Sequence, residues 1–138
     1  MEIELPKIDH PTTKIVGVGI DLVQNGRIRR LLDKFGDRFL YRCFTRGEIA
    51  YCMRKPLPEQ PLSARFAAKE AAYKALNGRP GLGLKWKECE VINPPGKPPE
   101  IVLHGNAKAQ AEKLEVNQIF VSLTHEADWS AAVVVLTS

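Results

Sequence analysis

The chain has 138 residues, of which 44% are hydrophobic and 26% charged, a composition that favours one folded domain over a disordered chain. No apolar run approaches the roughly 20 residues that a membrane-spanning helix needs. The longest, Ala131 to Leu136, has the length of a strand, so we expect a soluble protein. The formal net charge of +4 favours an anionic partner without choosing among a phosphate-bearing cofactor, a nucleic acid and an acidic protein.

The first half of the chain predicts one strand followed by helices. The strand is rich in β-branched residues and glycine and is expected to end near Asp21, with Asn25 capping the helix after it. Thr45 and Glu48 form a T-x-x-E pattern, which predicts a capping box at the start of a later helix. The predicted elements are a strand over 14–23, helices over 27–35, 38–43 and 48–53, a loop over 55–61 and a long alanine-rich helix after that loop.

The second half predicts strands with one helix inserted. Asn77 and Gly78 are expected to end the alanine-rich helix, because both tolerate the left-handed conformation found at helix termini. Asn106 is the expected cap of the inserted helix. The predicted elements are strands over 88–92, 100–104, 118–124 and 130–136 and a helix over 106–114. This order of elements indicates an α+β fold.

The cysteines and the first residues bear on the compartment. Cys43, Cys52 and Cys89 form no C-x-x-C pair, which predicts neither a disulfide framework nor a zinc site and fits reducing conditions. Residues 1–13 carry three acids against one lysine, unlike a basic transit peptide. We expect an N-terminal extension over 1–13, a single domain over 14–138 and a cytoplasmic location, with mitochondria as the alternative if a longer precursor was trimmed.

Two carboxylates are candidates for a metal site. Asp21 follows a hydrophobic strand, although a turn or capping role is the commoner explanation for such a residue. Glu70 lies within the alanine-rich helix, where an i to i+4 ion pair with Lys74 would be its ordinary role. Together the two could bind Mg²⁺, which typically takes one or two carboxylates and completes its shell with substrate phosphates and water.

Basic residues and one histidine are candidates for binding an anion. Arg65, Lys69 and Lys74 belong to the same helix, and Lys97 lies in a Gly-Lys-Pro turn, although each is more often a solvated surface residue. His125 follows a strand in the sequence VSLTHE, and a lone histidine there is more often structural. No nucleophile elbow surrounds the nearby serine, so acyl-transfer chemistry is not indicated.

Five stretches carry a resemblance to a known family. GIDLVQNGRI, FTRGEI, ARFAAKEAAYKAL, NPPGKP and VSLTHEADWSAAVV, in this order, resemble the holo-acyl-carrier-protein synthases, the short trimeric class of 4′-phosphopantetheinyl transferases. The resemblance covers nearly everything from Gly17 to Leu136. It implies the fold of that family, a small antiparallel sheet packed against a long helix and shorter helices. The extension over 1–13 and a proline-rich NPPGKPP turn depart from the family pattern.

The resemblance implies a reaction. The family transfers 4′-phosphopantetheine from coenzyme A to a serine of an apo acyl carrier protein, in a Mg²⁺-dependent step that releases adenosine 3′,5′-bisphosphate. By resemblance, Asp21 and Glu70 bind the metal and are catalytic, and Lys74 stabilises the pyrophosphate. Either Glu70 or a metal-bound water takes the serine proton. Family members are homotrimers with the site between adjacent subunits. The resemblance implies that neither a membrane nor a nucleic acid is a partner.

The resemblance also implies two sets of binding residues. The contacts to coenzyme A are Arg65, Phe66, Lys69, Gly96, Lys97, Pro98, Ser122, Thr124 and His125. The carrier protein, which presents an acidic helix, would bind a basic stripe formed by Arg27, Arg30 and Lys34. Without the family, a solvated helix face would be the simpler explanation of that stripe. The competing function is a basic module that binds RNA or another polyanion, but the helix over 27–35 has only its last residue, Phe35, as an aromatic group for such a ligand.

Overall fold

A computed structural model describes residues 2–4, 13–77 and 83–138. The strands in these ranges are β1 (Ile15–Gln24), β2 (Cys89–Ile92), β3 (Glu100–Leu103), β4 (Gln118–Glu126) and β5 (Trp129–Thr137). The helices are α1 (Asn25–Phe35), α2 (Asp37–Cys43), α3 (Arg46–Met53), α4 (Glu59–Ala75) and α5 (Gly105–Lys113). A short 3-10 turn, Trp86–Glu88, precedes β2.

The strands form two antiparallel sheets. The larger has the order β1-β5-β4, and the smaller is the hairpin of β2 and β3. Helix α4 packs against one face of the larger sheet and is flanked by α1 and α3, while α2 packs against α1 and α5 against the 3-10 turn. The core lies between α4 and that face. The predicted α+β fold is therefore confirmed, with the apolar run before the C-terminus forming the central strand.

Glycine in β1 lets α4 approach the sheet closely. A Cβ atom on Gly17 would lie 2.0 Å from the carbonyl oxygen of Ala75, and one on Gly19 would lie 1.8 Å from that of Ala71. Any larger residue at these positions would force the helix away from the strand. Asp21 lies on the same face of β1, since alternate residues of a strand share a face. The small residues therefore bring this carboxylate against α4.

Several predicted boundaries differ from the structure. β4 continues to Glu126, so His125 lies within the strand rather than after it. β1 continues past Asp21 to Gln24, so the carboxylate lies within the strand. Asn25 is the first residue of α1 and not its cap, because its side-chain oxygen accepts a hydrogen bond from the Ser130 hydroxyl at 2.7 Å. α4 begins at Glu59, inside the predicted loop. Pro61 is tolerated there because the first helical turn leaves its amide groups without partners in the helix.

The other predicted capping and stop signals of the helices are present within the described residues, with one exception. Thr45 and Glu48 form the expected capping box of α3. Asn77 has a φ of 54° just after α4, as expected for a helix stop; Gly78 lies outside the described residues. α5 begins at Gly105, so Asn106 is not its cap. Instead the Glu88 carboxylate accepts the amide hydrogen of Asn106 at 2.6 Å and caps the helix from outside.

The second face of the larger sheet is apolar and open. Alternate residues of β1 project from it, and Ile20 is 67% exposed. Val133 of β5 lies beside Ile20 in the register, and Phe120 of β4 projects from the same face. The remaining apolar residues of this outer face are Val18, Leu22, Trp129, Ala131 and Val135. In the parts of the chain that the structure describes, no helix is long and apolar enough to cross a bilayer.

Candidate functional site

Asp21 and Lys74 form the centre of a charged cluster. Lys74 lies in the last turn of α4, and its Nζ atom donates to Asp21 Oδ1 at 3.1 Å and to the backbone carbonyl of Ile20 at 3.1 Å. Side chains on a helix point back towards its N-terminus, which directs Lys74 along β1. The ion pair of Lys74 is therefore with Asp21, and not the ordinary pair with Glu70 considered from the sequence.

Glu70 is the second carboxylate of this cluster. It is half-buried, and burial raises the pKa of its carboxyl group; the negative charge of Asp21 raises it further. Lys74 and then Arg27 lower that pKa in part. The negative charge of Asp21 therefore disfavours ionisation of Glu70, and the two carboxylates form a local negative site.

The cluster fits a hard divalent cation. No group of three or more His, Cys, Asp or Glu side chains in the described ranges could hold a metal by itself. Asp21 and Glu70 offer two oxygen ligands, which is the number that Mg²⁺ takes when phosphates and water complete its shell. A divalent cation bound between the two carboxylates would lower the electrostatic cost of keeping both of them ionised.

A second group of predicted residues lines a groove of about 580 Å³. Arg65 is only 3% exposed, yet it lines this groove. One of its nitrogens donates to the carbonyl of Pro61 at 3.2 Å and another to the Asn93 side chain. Its guanidinium lies 4.3 Å from the centre of the Tyr51 ring, and its Nε has no hydrogen-bond partner in the structure. His125 lines the same groove. The structure therefore brings Arg65 and His125 together.

The other two predicted contacts of the VSLTHE stretch, Ser122 and Thr124, do not line this groove. His125 lies across from Ser130 on the face of the sheet that α4 covers, whereas Ser122 and Thr124 lie beside Val133 and Ala131 on the outer face. Alternation along β4 explains the division, because neighbouring residues of a strand point to opposite faces.

The proline-rich turn between β2 and β3 lies at the surface. Gly96, Lys97 and Pro98 are all exposed, and Gly96 adopts a φ of 70° that favours glycine. Of this region, the groove includes Asn93 and Pro99 rather than these three residues. The turn therefore lies next to the groove without lining it.

Two predicted coenzyme contacts are buried. Phe66 stacks on Trp86 with ring centres 4.6 Å apart and an angle of 22° between the rings. Lys69 is fully buried and bonds to Glu48 at 2.8 Å. All its donors are directed at protein atoms, because the face of α4 that carries it packs against α3 and β2. This placement does not fit the expectation that Lys69 contacts coenzyme A.

The two groups lie on opposite sides of α4. Arg65 and Glu70 are five residues apart, which corresponds to about 140° around a helix, and Arg65 and Lys74 are separated by about 180°. The charged cluster faces β1 and α1, whereas the groove lies towards α3 and β4. One chain therefore does not bring all the predicted site residues to one place.

Helix α1 carries the basic stripe beside the charged cluster. Arg27, Arg30 and Lys34 are all exposed. The guanidinium of Arg27 lies 5.7 Å from the centre of the Phe66 ring, and its charge also acts on Glu70. Arg29 is not part of the stripe, since it pairs with Asp33.

Sequence reasoning missed a groove next to this stripe. It has a volume of about 290 Å³ and is lined by Leu31, Phe35, Arg38, Phe39 and Arg42 of α1 and α2. The two arginines four residues apart were a visible signal, but the groove depends on the angle between the two helices. The combination of apolar floor and basic rim suits an amphipathic, acidic partner.

The cysteines take no part in either group. Cys43, Cys52 and Cys89 are free and buried. Burial raises the pKa of Cys52 to about 11 and that of Cys89 to about 12, so both are thiols at neutral pH and poor nucleophiles.

Comparison with known proteins was informative at the level of the family. A family model described as the 4′-phosphopantetheinyl transferase superfamily matches residues 17–134. The chain is 44% identical over 122 residues to a holo-[acyl-carrier-protein] synthase of Solibacter usitatus, covering 88% of this chain and 98% of that protein. It is 41% identical over 119 residues to the enzyme of that name from Chlamydia trachomatis serovar D, covering 86% and 97%.

Solved structures give the same result. The chain resembles holo-[acyl-carrier-protein] synthase from Neisseria meningitidis with a TM-score of 0.80 and 31% identity, over 89% of this chain and 98% of that one. It resembles the Helicobacter pylori enzyme, solved in complex with coenzyme A, with a TM-score of 0.75 and 30% identity, over 86% and 98%. The similarity therefore extends over nearly all of each relative, in sequence and in fold.

Proposed function

Since the chain belongs to the 4′-phosphopantetheinyl transferase superfamily, we propose that it transfers 4′-phosphopantetheine from coenzyme A to a serine hydroxyl of an apo acyl carrier protein. The names of the bacterial relatives support the carrier protein as acceptor. The Helicobacter pylori complex supports coenzyme A as donor. Release of adenosine 3′,5′-bisphosphate and dependence on Mg²⁺ are the finer parts of the proposal. The cytoplasm stays our predicted compartment; the bacterial relatives give the mitochondrial alternative no support.

The observation that carries the proposal is the cluster of Asp21, Glu70 and Lys74. Two half-buried carboxylates and one ammonium group are gathered at a point where β1 meets α4. We propose that Asp21 and Glu70 hold Mg²⁺. When bound, the ion neutralises charge on the pyrophosphate of coenzyme A. Lys74 adds a second positive charge beside it, and its side chain is 54% exposed and so accessible to a substrate.

The proposed reaction is an in-line phosphoryl transfer. The serine oxygen of the carrier forms a bond to the phosphorus that bears pantetheine, and the bond from that phosphorus to the bridging oxygen breaks. Adenosine 3′,5′-bisphosphate leaves with the bridging oxygen and the electron pair of that bond. Glu70 accepts the serine proton in this scheme. Lys74 is placed to stabilise the charge that grows on the leaving phosphate.

We propose that the groove with Arg65 binds the nucleotide end of coenzyme A. The buried guanidinium of Arg65 and the ring of His125 line the same groove, and a guanidinium is suited to binding a phosphate. Lys97 lies on the neighbouring exposed turn, from which a flexible ammonium group can reach a phosphate. The remaining predicted contacts do not line the groove and stay predictions; they are Gly96, Pro98, Ser122 and Thr124.

We propose that the active protein is a homotrimer. The charged cluster and the groove lie on opposite sides of α4, so one ligand could contact both only if a second copy supplied one of them. The open apolar outer face of the sheet offers a surface for this assembly, since a patch of this kind usually marks an interface. Ser122 and Thr124 belong to that face and would then lie near the border between copies.

We propose that the carrier protein docks on α1. The stripe of Arg27, Arg30 and Lys34 lies beside the charged cluster, and the smaller groove with Arg38 and Arg42 continues it. Positive charge on this surface would attract the acidic helix of a carrier and speed encounter. The apolar floor of the groove would add contact area. This position would present the carrier serine to Glu70.

A transfer assay tests the proposed function. The protein is incubated with coenzyme A, Mg²⁺ and an apo carrier protein, and the intact mass of the carrier is measured. We expect the mass to rise by one phosphopantetheine group, with stoichiometric release of adenosine 3′,5′-bisphosphate. A carrier whose acceptor serine is replaced by alanine serves as control. No mass change over several apo carriers, with protein that binds coenzyme A, would contradict the proposal.

A further inference from the structure

Lys69 and Glu48 form an ion pair with no exposed atoms. The Nζ atom of Lys69 lies 2.8 Å from Glu48 Oε1, and both side chains are 0% exposed. Lys69 also donates to the backbone carbonyl of Trp86 at 3.1 Å and to that of Cys89. Its three hydrogens are thus matched by three acceptors. The pair joins α3, α4 and the segment from Trp86 to β2.

Glu48 extends this network to further backbone groups. Its Oε2 atom accepts the amide hydrogen of Val91 at 3.0 Å, and its Oε1 atom accepts that of Thr45 at 2.9 Å. Four of the hydrogen bonds made by the pair therefore end on the main chain. Every one of them fixes backbone rather than another side chain.

A buried ion pair is an inefficient way to stabilise a core. The cost of removing both charges from water offsets most of their attraction, and apolar side chains of similar volume often hold a core equally well. What apolar side chains cannot supply is directed hydrogen bonds to chosen backbone groups. The chemistry of this pair therefore suits positioning better than stability.

The segment that the pair holds carries side chains on both sides of α4. At one end, Trp86 stacks on Phe66, one helical turn before Glu70. At the other end, two residues after Val91, Asn93 accepts a hydrogen bond from the Arg65 guanidinium in the larger groove. A shift of this segment along α4 would move both contacts together.

We propose that Lys69 and Glu48 are positioning residues for the nucleotide groove. They fix the segment from Trp86 to Asn93 against α4, so that Asn93 holds the Arg65 guanidinium in the orientation that binds coenzyme A. The same bonds fix Trp86 beside Phe66. This role rests on the proposed function, and it assigns Lys69 to the support of the groove rather than to contact with the ligand.

The test compares single and double variants. Lys69→Met and Glu48→Gln each leave one partner without its counter-charge, and the unpaired charge of either single variant should lower its melting temperature. The double variant Glu48→Gln/Lys69→Met keeps nearly the same side-chain volume and leaves no unpaired charge, so its melting temperature should lie above those of the single variants. It should stay below that of the wild type, because the carbonyls of Trp86 and Cys89 lose their donor. Leu62→Met, a buried change on the same helix, is the matched control.

Affinity for coenzyme A, measured by calorimetry without carrier protein, separates positioning from stability. We expect the double variant to bind about tenfold more weakly than wild type, because a displacement near 1 Å at a binding residue has effects of this order or larger. The control should bind as wild type does. In a Trp129→Phe background, the fluorescence emission of Trp86 should shift in the double variant and not in the control.

Several outcomes would overturn the proposal. A double variant with wild-type affinity and Trp86 emission would make the pair purely stabilising. If the double variant is less stable than expected, the same measurements well below its melting temperature decide equally, and an unchanged affinity again contradicts positioning. The affinity of the wild type tests the proposed function independently of the variants. A wild-type protein that does not bind coenzyme A would refute that function.

Discussion

The two sides of α4 differ in how they hold charged side chains. On the side of β1, Asp21, Glu70 and Lys74 place unlike charges at the protein surface around a point where a cation can bind. On the other side, Arg65 is almost completely buried and held by Pro61 and Asn93 beneath a groove. Short alanine side chains allow both arrangements, because they let sheet and helices approach α4 closely. Under the proposed function, one chain supplies two half-sites, and a ligand that contacts both does so with the help of another copy.

The largest effect is expected from the carboxylates of the charged side. Asp21→Asn and Glu70→Gln should each lower kcat/KM about a thousandfold or more, because phosphoryl transfer depends on charge neutralisation at the site. Affinity for the nucleotide end of coenzyme A should fall far less, since the groove is intact. Steady-state kinetics with excess Mg²⁺ and calorimetry with adenosine 3′,5′-bisphosphate measure the two effects. Equal losses in both measurements would mean that the two sides of α4 are not functionally separate.

Disrupting the outer face of the sheet should separate the half-sites without altering either one. Ile20→Asp and Val133→Asp place a carboxylate where a partner would have to bury it, which is costly. We expect monomers by light scattering at micromolar concentration and activity lowered by about a hundredfold, with an unchanged circular dichroism spectrum. Lys108→Glu on the exposed surface of α5 is the control. An active monomer would refute the shared site.

The basic stripe should affect the carrier and not coenzyme A. Arg30→Glu and Lys34→Glu together should raise KM for the carrier about tenfold at low salt, leave KM for coenzyme A nearly unchanged, and flatten the dependence of kcat/KM on ionic strength. Arg27 is a less specific test, since its charge also acts on Glu70. Carrier kinetics identical to wild type from low to high salt would show that the stripe is only a solvated face.

The smallest effect concerns stability and pH. Burial raises the pKa of Glu70 above its ordinary value of 4.5, so the folded protein binds this proton more tightly than the unfolded chain does. The wild type therefore loses stability as pH rises through the folded pKa and regains it below about 4.5. In EDTA, Glu70→Gln should melt slightly higher than wild type at neutral pH, and the difference should vanish in acid.

The same melting experiment reports on the metal. Mg²⁺ should raise the melting temperature of the wild type, since a ligand that binds only the folded state stabilises it. It should have little effect on Glu70→Gln. Two results would contradict the assignment of Glu70 as a buried metal ligand. One is a Glu70→Gln variant that melts below the wild type at neutral pH in EDTA, and the other is an equal rise in melting temperature of both proteins with Mg²⁺.

Local sequence patterns predicted those features of the fold that depend on residues close to one another in sequence. The capping box of Thr45 and Glu48 is present. Asn25 was misjudged because its partner, Ser130, is distant in sequence. A side chain that can cap a helix can equally accept a tertiary hydrogen bond.

The site was harder to predict, because α4 is buried on nearly every side. Lys69 and Glu70 are adjacent in sequence and therefore lie about 100° apart around α4. Helical periodicity does not reveal which of these two residues faces α3. The pairing of Lys69 with Glu48 across 21 positions depends on how three elements pack. The division between charged cluster and groove also appears only when the neighbours of α4 are known.

A complementation experiment tests most directly whether the two sides of α4 serve one site between copies. Glu70→Gln disables the charged side, and His125→Glu disables the groove by repelling phosphate at low coenzyme A. The two inactive proteins are unfolded together, refolded as a mixture and assayed. If trimers form at random, roughly three quarters contain both variants and each of these has one intact site of three, so the mixture should recover about a quarter of wild-type activity. A mixture that stays as inactive as its components, with mixed trimers demonstrated by native mass spectrometry, would show that each chain holds a complete site.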